Sequence, residues 1–260
     1  MQQRARTEVL RIAHRGAGAA EKYDSASLRE VARLGAHLVE FDIHVTGDDR
    51  LVVRHDPVIT VDDRRTWLAD HPLADHAEAL RRLGVPTIEE VVHAAKDAGL
   101  GLYIDVKSLT TRAAQHLVDL LLATDMIDNT ILASPRSDLI ALCAHVAPDV
   151  PRAVLFASTL EEPVQLAQAV SAHFVHPCWE AQPRPDRMLA GAWLERVRAN
   201  ELGVICWHEE RQEVLDGLYQ LGVDGICTDT PGLLTDIASG VGTRTPPHRA
   251  GVSQPLHNRR

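Results

Sequence analysis

Two short segments gather residue types that can grip a phosphate, hold a metal and move a proton. They are His14-Arg15-Gly16, and Glu40-Phe41-Asp42 followed by His55-Asp56. Imidazole titrates near neutral pH, so His14 and His55 are candidate general acids and bases. Arg15 offers a planar fork suited to bidentate contact with a phosphate. Glu40 and Asp42 lie two residues apart, which in a β-strand puts both side chains on one face. Asp105 and Lys107 repeat that spacing. Carboxylates that converge in this way repel one another unless a cation neutralises them, and all-oxygen donors suit Mg²⁺ or Ca²⁺. Lys107 can neutralise a phosphoryl oxygen or another developing anion. The bland alternative pairs Glu40 and Asp42 with Arg15 and Lys107 as structural ions, but charge buried in an apolar strand is costly without a partner. The set points to chemistry on a phosphate ester.

These residues need strands to hold them. Apolar runs predict strands over Val9–His14, Leu38–Val45 with an extension at Leu51–His55, Leu102–Lys107, Thr130–Ser134, Arg152–Phe156, Phe174–His176, Gly203–Trp207 and Gly225–Thr228. Helical periodicity follows each of them: Ser25–Leu34, Thr87–Ala98, Thr111–Thr124, Asp138–Val146, Glu162–Ser171, about 188–200, Gln212–Leu221 and Leu233–Ser239. Residues 58–84 read as an irregular insertion after strand 2, with a short helix near 75–83. Alternating strands and helices predict a parallel sheet. Eight such units predict a closed (β/α)₈ TIM barrel, an α/β fold whose catalytic groups sit at the carboxyl ends of the strands. An open doubly wound sheet fits less well, because no Gly-rich fingerprint follows the first strand. One domain is expected over 1–239. Residues 240–260 lack apolar periodicity and read as a disordered tail, which removes His248 and His257 from consideration.

The chain has 260 residues, a length common for one such barrel, and 45% apolar residues can build its core. A net charge of −9 argues against a nucleic-acid partner, which wants a basic face, but leaves room for a small anionic substrate at a locally positive site. Cys143, Cys178, Cys206 and Cys227 form no C-x-x-C pair and read as free buried thiols in a reducing compartment. Met1 to Thr7 has no apolar segment behind it, and no run approaches the roughly 20 residues of a membrane span. The expectation is a cytoplasmic protein without stable membrane association. Oligomeric state is not legible.

On these residues the chain resembles the glycerophosphodiester phosphodiesterase family. The similar segments are Ala13-His14-Arg15-Gly16, Gly35 through Asp42, Leu51 through Asp56, Val85 through Glu90, Tyr103 through Lys107, and Gly222 through Pro231, in the family's order. The resemblance implies a TIM barrel that hydrolyses a phosphodiester with a divalent metal, releasing an alcohol and sn-glycerol 3-phosphate. By it, His14 and His55 would be the acid/base pair, and Glu40, Asp42 and Asp105 would hold the metal. Arg15 and Lys107 would contact the phosphate, and Trp207 would line the substrate pocket. Three departures stand out. Glu21-Lys22-Tyr23-Asp24 replaces the family's Pro-Glu-Asn-Thr turn, with Lys22 where its glutamate is expected and Glu21 one residue away. Asp105 stands for the usual glutamate. His208-Glu209-Glu210 stands for the usual Thr-Val-Asn. A lysophospholipase D-like activity on the same residues and a phosphate-binding barrel without catalysis are the alternatives.

Overall fold

The computed structural model describes residues 8–18, 21–61 and 63–239. The chain begins with β1 (Leu10–Ala13), which passes through a 3-10 turn at His14–Gly16 into α1 (Ser25–Arg33) and then β2 (Leu38–Val45). It next leaves the barrel. β3 (Leu51–Val53) runs antiparallel to the end of β2, β4 (Val58–Val61) and β5 (Arg64–Trp67) form a hairpin, and α2 (Leu73–Arg82) precedes α3 (Ile88–Ala98). Five more barrel units follow: β6 (Gly101–Val106) with α4 (Thr111–Ala123), β7 (Thr130–Ser134) with α5 (Ser137–Val146), β8 (Arg152–Phe156) with α6 (Pro163–Ala169), β9 (Phe174–Pro177) with α7 (Pro185–Leu189) and α8 (Ala192–Ala199), and β10 (Gly203–Cys206) with α9 (Gln212–Leu221). β11 (Gly225–Thr228) and α10 (Pro231–Ala238) complete the chain. The barrel closes because β1 pairs in parallel with both β11 and β2, with Ile12 opposite Leu38 and Ala13 opposite Thr228.

Local chemistry sets the helix ends. The Asp24 carboxylate accepts from the N–H groups of Ala26 and Ser27 at the start of α1. Thr87 and Glu90 form a reciprocal capping box on α3, and Gly99 ends that helix in the left-handed region at φ 75°.

Alternation along the strands sorts the core into two layers. Val39, Phe41 and Ile43 of β2 face outward and pack with Leu28, Ile88 and Leu117 of the surrounding helices. Leu38 faces inward, in one cluster with Ile12, Tyr103, Ile131, Ala153, Leu155, Ile205 and Cys227, a layer drawn from the barrel strands that fills the interior. Two residues toward the carboxyl end from Ile12, Leu38, Tyr103, Ile205 and Cys227 come His14, Glu40, Asp105, Trp207 and Asp229. The period of two therefore delivers a ring of polar and aromatic groups to one mouth of the barrel.

Two expectations need revision. The insertion carries regular elements where an irregular segment was expected: the β4–β5 hairpin and α2 share a small core of Val52, Ile59, Leu68, Leu80 and Val85. The strands are four residues long, and β5 is polar along most of its length, so periodicity gave no signal. The helix expected near 188–200 starts at Pro185 and is split by Gly191 at φ 68° into α7 and α8. The expected disordered tail lies outside the described residues. No helix among the described residues is long and apolar enough to cross a membrane.

Candidate active site

The mouth of the barrel is built around three carboxylates with no solvent exposure: Glu40, Asp42 and Asp105. β2 and β6 pair with Asp42 directly opposite Asp105, and each acid offers an oxygen within 4.8 Å of the others. Two cations reach this group. Lys107 Nζ lies 2.5 Å from Asp105 Oδ2 and 3.0 Å from Asp42 Oδ1, and Arg15 Nε lies 3.6 Å from Asp42 Oδ2. Three acids thus face two bases, and Glu40 Oε1, Asp105 Oδ1 and Asp42 Oδ2 are buried without a hydrogen-bond donor.

Titration reflects that imbalance. Burial, then Asp42 and Asp105, push the Glu40 carboxyl well above the usual carboxylate range. Burial raises Asp105 to about 6 against the pull of Lys107. Burial also opposes the charge on Lys107, but Asp105 and Asp42 outweigh it and hold that amine above its ordinary value. Three converging carboxyl groups with unsatisfied oxygens fit a hard divalent cation, which would favour the ionised form of all three.

The His14–Gly16 turn positions its neighbours by backbone strain. Arg15 sits at φ 47°, a region that costs a residue with a side chain roughly 1–3 kcal/mol. In this conformation its N–H donates to Glu40 Oε2 at 3.0 Å. Gly16 follows at φ 69°, and a Cβ there would fall 2.7 Å from the backbone carbonyl oxygen of Lys22. Gly16→Ala is therefore expected to destabilise the fold by about 1–3 kcal/mol and to lower kcat/KM by displacing Arg15. Thermal unfolding together with steady-state kinetics checks both effects.

His14 is 6% exposed. Its Nδ1 lies 2.7 Å from Asp229 Oδ1, and its Nε2 is buried without a partner. Burial pushes its pKa down to about 4, against the raising effect of the Asp229 hydrogen bond, so the ring is neutral at neutral pH. Trp207 meets it edge-on at 4.8 Å, and His208 stacks on it at 4.5 Å. His55 belongs to the loop after β3 rather than to a strand extension. Its side chain is 43% exposed, and its Nδ1 lies 3.0 Å from Asp56 Oδ1.

Three residues outside the assigned site set also contribute: Glu21 and Glu210, both in segments that depart from the family pattern, and Asp229. Glu21, and not Lys22, reaches the site: one carboxylate oxygen lies 3.7 Å from Arg15 Nη1, and the other accepts from the His55 N–H at 3.4 Å. The one-residue slip noted in the sequence is thus resolved by geometry, with Glu21 itself at φ 46°. Asp229 could have been found by stepping two residues on from the inward-facing Cys227. Glu210 carries no such signal. Its Oε1 accepts from the Asp229 N–H at 2.5 Å and from Thr228 Oγ1 at 2.8 Å, which fixes the loop holding Asp229. A cavity of about 260 Å³ adjoins the His55 side of the site, with Glu21, Arg54, Asp56 and Leu83 on its wall.

Comparison with known proteins places the chain in a family. The family model described as "Glycerophosphoryl diester phosphodiesterase family" matches residues 14–233. A glycerophosphodiester phosphodiesterase of Caldanaerobacter subterraneus subsp. tengcongensis is 25% identical over 247 residues, covering 88% of this chain and 98% of that one. The crystal structure of a glycerophosphodiester phosphodiesterase from Parabacteroides distasonis superposes with a TM-score of 0.72 at 21% identity, over 89% of this chain and 97% of that one. A phosphodiesterase from Oleispira antarctica, in complex with the product sn-glycerol-3-phosphate, gives 0.69 at 17% identity, over 88% and 96%. These structural likenesses bear on the barrel alone, and the family match spans every carboxylate and histidine described above. The chain belongs to the glycerophosphoryl diester phosphodiesterase family and is a phosphodiesterase.

Proposed function

We propose that this enzyme hydrolyses glycerophosphodiesters to an alcohol and sn-glycerol 3-phosphate in a reaction that depends on a divalent cation, Mg²⁺ or Ca²⁺, with His14 and His55 exchanging protons. The observation that carries this reading is the buried trio of Glu40, Asp42 and Asp105, three converging carboxyl groups against the two cations Lys107 and Arg15, with oxygens that no hydrogen-bond donor reaches. When bound there, the cation supplies charge neutralisation and polarisation of the phosphoryl oxygens. Arg15 and Lys107 orient the phosphate and offset charge that builds on it. His14 enters neutral, with Nδ1 turned to Asp229, so Nε2 accepts the proton of the attacking water or substrate hydroxyl. His55, half-exposed beside Asp56, donates a proton to the leaving alkoxide. Trp207 forms part of the wall against the bound substrate. The −9 charge and the small cavity support a small-molecule substrate over a nucleic acid. Four free cysteines support a reducing cytoplasmic setting, and the catalytic domain is assigned to 1–239 with its insertion at 58–84.

Release of sn-glycerol 3-phosphate from a panel of glycerophosphodiesters, abolished by EDTA and restored by Mg²⁺ or Ca²⁺, tests the reaction. Equal rates with and without EDTA exclude the metal. Trp67 and Leu83 are exposed hydrophobic residues of the insertion, and Leu83 lies on the cavity wall, which favours lysophospholipids as a second substrate class for the same panel. Metal binding also has a readout free of turnover. At 100 times Kd the cation is expected to stabilise the fold by about 2.7 kcal/mol, a rise in Tm of roughly 5–10 °C for a domain of this size. Calorimetric scans with and without Mg²⁺ or Ca²⁺ measure it.

A further inference from the structure

A second set of donors gathers where the ends of β1, β10 and β11 meet. His14, His208 and Asp229 each present a ligand atom, all within 4.8 Å of one another. The His14 and His208 rings lie 4.5 Å apart and 19° from parallel, and Asp229 Oδ1 is 2.7 Å from His14 Nδ1. Both His14 Nε2 and His208 Nδ1 are buried without a hydrogen-bond partner. The loop that carries Asp229 is held from behind: Glu210 accepts from the Asp229 N–H and from the hydroxyls of Thr228 and Thr230. Trp207 closes the side edge-on against both imidazoles, 4.8 Å from His14 and 6.2 Å from His208.

This set differs in kind from the carboxylate trio. Two imidazoles and one carboxylate suit a borderline transition cation, whereas three carboxylates suit a hard one. The two sites can therefore discriminate between ions. We propose that Zn²⁺ or a cation of its type binds His14, His208 and Asp229 and switches the enzyme off. Binding converts His14 from a proton acceptor into a metal ligand, so the switch rests on the role given to His14 above. Ligands on one tetrahedral zinc stand about 3.3 Å apart, so the His14–Asp229 pair opens by roughly half an ångström and the His208 ring turns toward the gap. His208 is one of the positions where the chain departs from its family's usual residues, which makes the switch a property of this chain.

The test uses Co²⁺ as a spectroscopic probe and Zn²⁺ as the inhibitor, with Mg²⁺ saturating so that the carboxylate trio is occupied. Imidazole-bound, four-coordinate Co²⁺ absorbs strongly in the visible, whereas six-coordinate Co²⁺ on oxygen does not. Wild type is expected to show the strong band, to lose it on Zn²⁺ addition and to lose turnover in parallel. His208→Gln is expected to weaken the band and to raise the Zn²⁺ concentration for half-inhibition, relative to its own basal rate, at least about 10-fold. Thermal unfolding establishes that the variant is folded. A band and an inhibition curve unchanged in His208→Gln overturn the site, as does the absence of any strong band in wild type. If Mg²⁺-loaded wild type cleaves no phosphodiester, the reading of His14 fails and the switch fails with it, while the Co²⁺ band still decides whether the site exists.

Discussion

Asp42→Asn is expected to lower kcat by about 10³-fold while leaving the metal-free protein about as stable as wild type. Asp42 is the hinge of the acidic trio. It stands opposite Asp105 across the β2–β6 ladder, and one oxygen faces Lys107 while the other faces Arg15. In the metal-free protein three buried acids confront two cations. Burial and its acidic neighbours hold Glu40 toward its protonated form, so removing the Asp42 charge lets Glu40 ionise in its place, and the loss of the Asp42 ion pairs is offset by relief of repulsion on Glu40 and Asp105. The isosteric amide keeps the volume and therefore the packing. What the variant cannot keep is the attraction for a dication. The Mg²⁺-dependent rise in Tm should fall away together with activity, and scans of both proteins with and without Mg²⁺ read this directly. A variant that lost activity but retained the full metal shift would place the cation elsewhere. A variant that simply unfolded would mean that Asp42 serves the fold through its pairing with Lys107 and Arg15.

The contrast between what the sequence showed and what it hid follows from the range of the forces involved. β2 was legible because eight successive residues are buried and the acids within it break an apolar run at a spacing of two. The same period makes the Asp105–Lys107 pair legible on the neighbouring strand. α3 was legible from its apolar periodicity, and in the structure the Thr87–Glu90 capping box and the left-handed Gly99 fix its two ends. The β4–β5 hairpin was not legible, because its stability comes from contacts of Ile59 and Leu68 with Val52, Leu80 and Val85, which are distant in sequence or patterned too briefly. Glu21 was ambiguous for a different reason. Its place depends on a positive φ at a residue with a side chain, which local preference disfavours and tertiary contacts enforce. Asp229 joins His14 across 215 residues of sequence, and only closure of β11 onto β1 brings the two together.

His14→Ala is expected to reduce turnover by roughly 10²–10⁴-fold with the barrel intact. The range is that of a lost general base, because Arg15, Lys107 and the carboxylate trio remain in place. Asp229→Asn should act in the same direction with a smaller loss. The carboxylate raises the basicity of His14 and holds Nδ1 as a donor; the amide no longer attracts an imidazolium, so the base is weaker but present. Titration gives a second, independent readout. In the folded state His14 is neutral down to about 4, whereas an unfolded histidine takes up its proton near 6.5. Between those values the unfolded chain binds more protons at this position, so the contribution of His14 to stability is fully present above about 6.5 and is lost as pH falls toward 4. It amounts to about 3 kcal/mol for a side chain this buried. The alanine variant lacks that linkage, so its stability should fall less steeply than that of wild type between pH 6.5 and 4. Denaturant titrations of both proteins across that interval measure the difference. Equal slopes would mean that His14 takes up its proton at the same pH in the folded and the unfolded chain, so that burial does not hold it neutral between 4 and 6.5. A steeper fall in the variant than in wild type would mean that the fold holds the proton on His14, and His55 would then be the base.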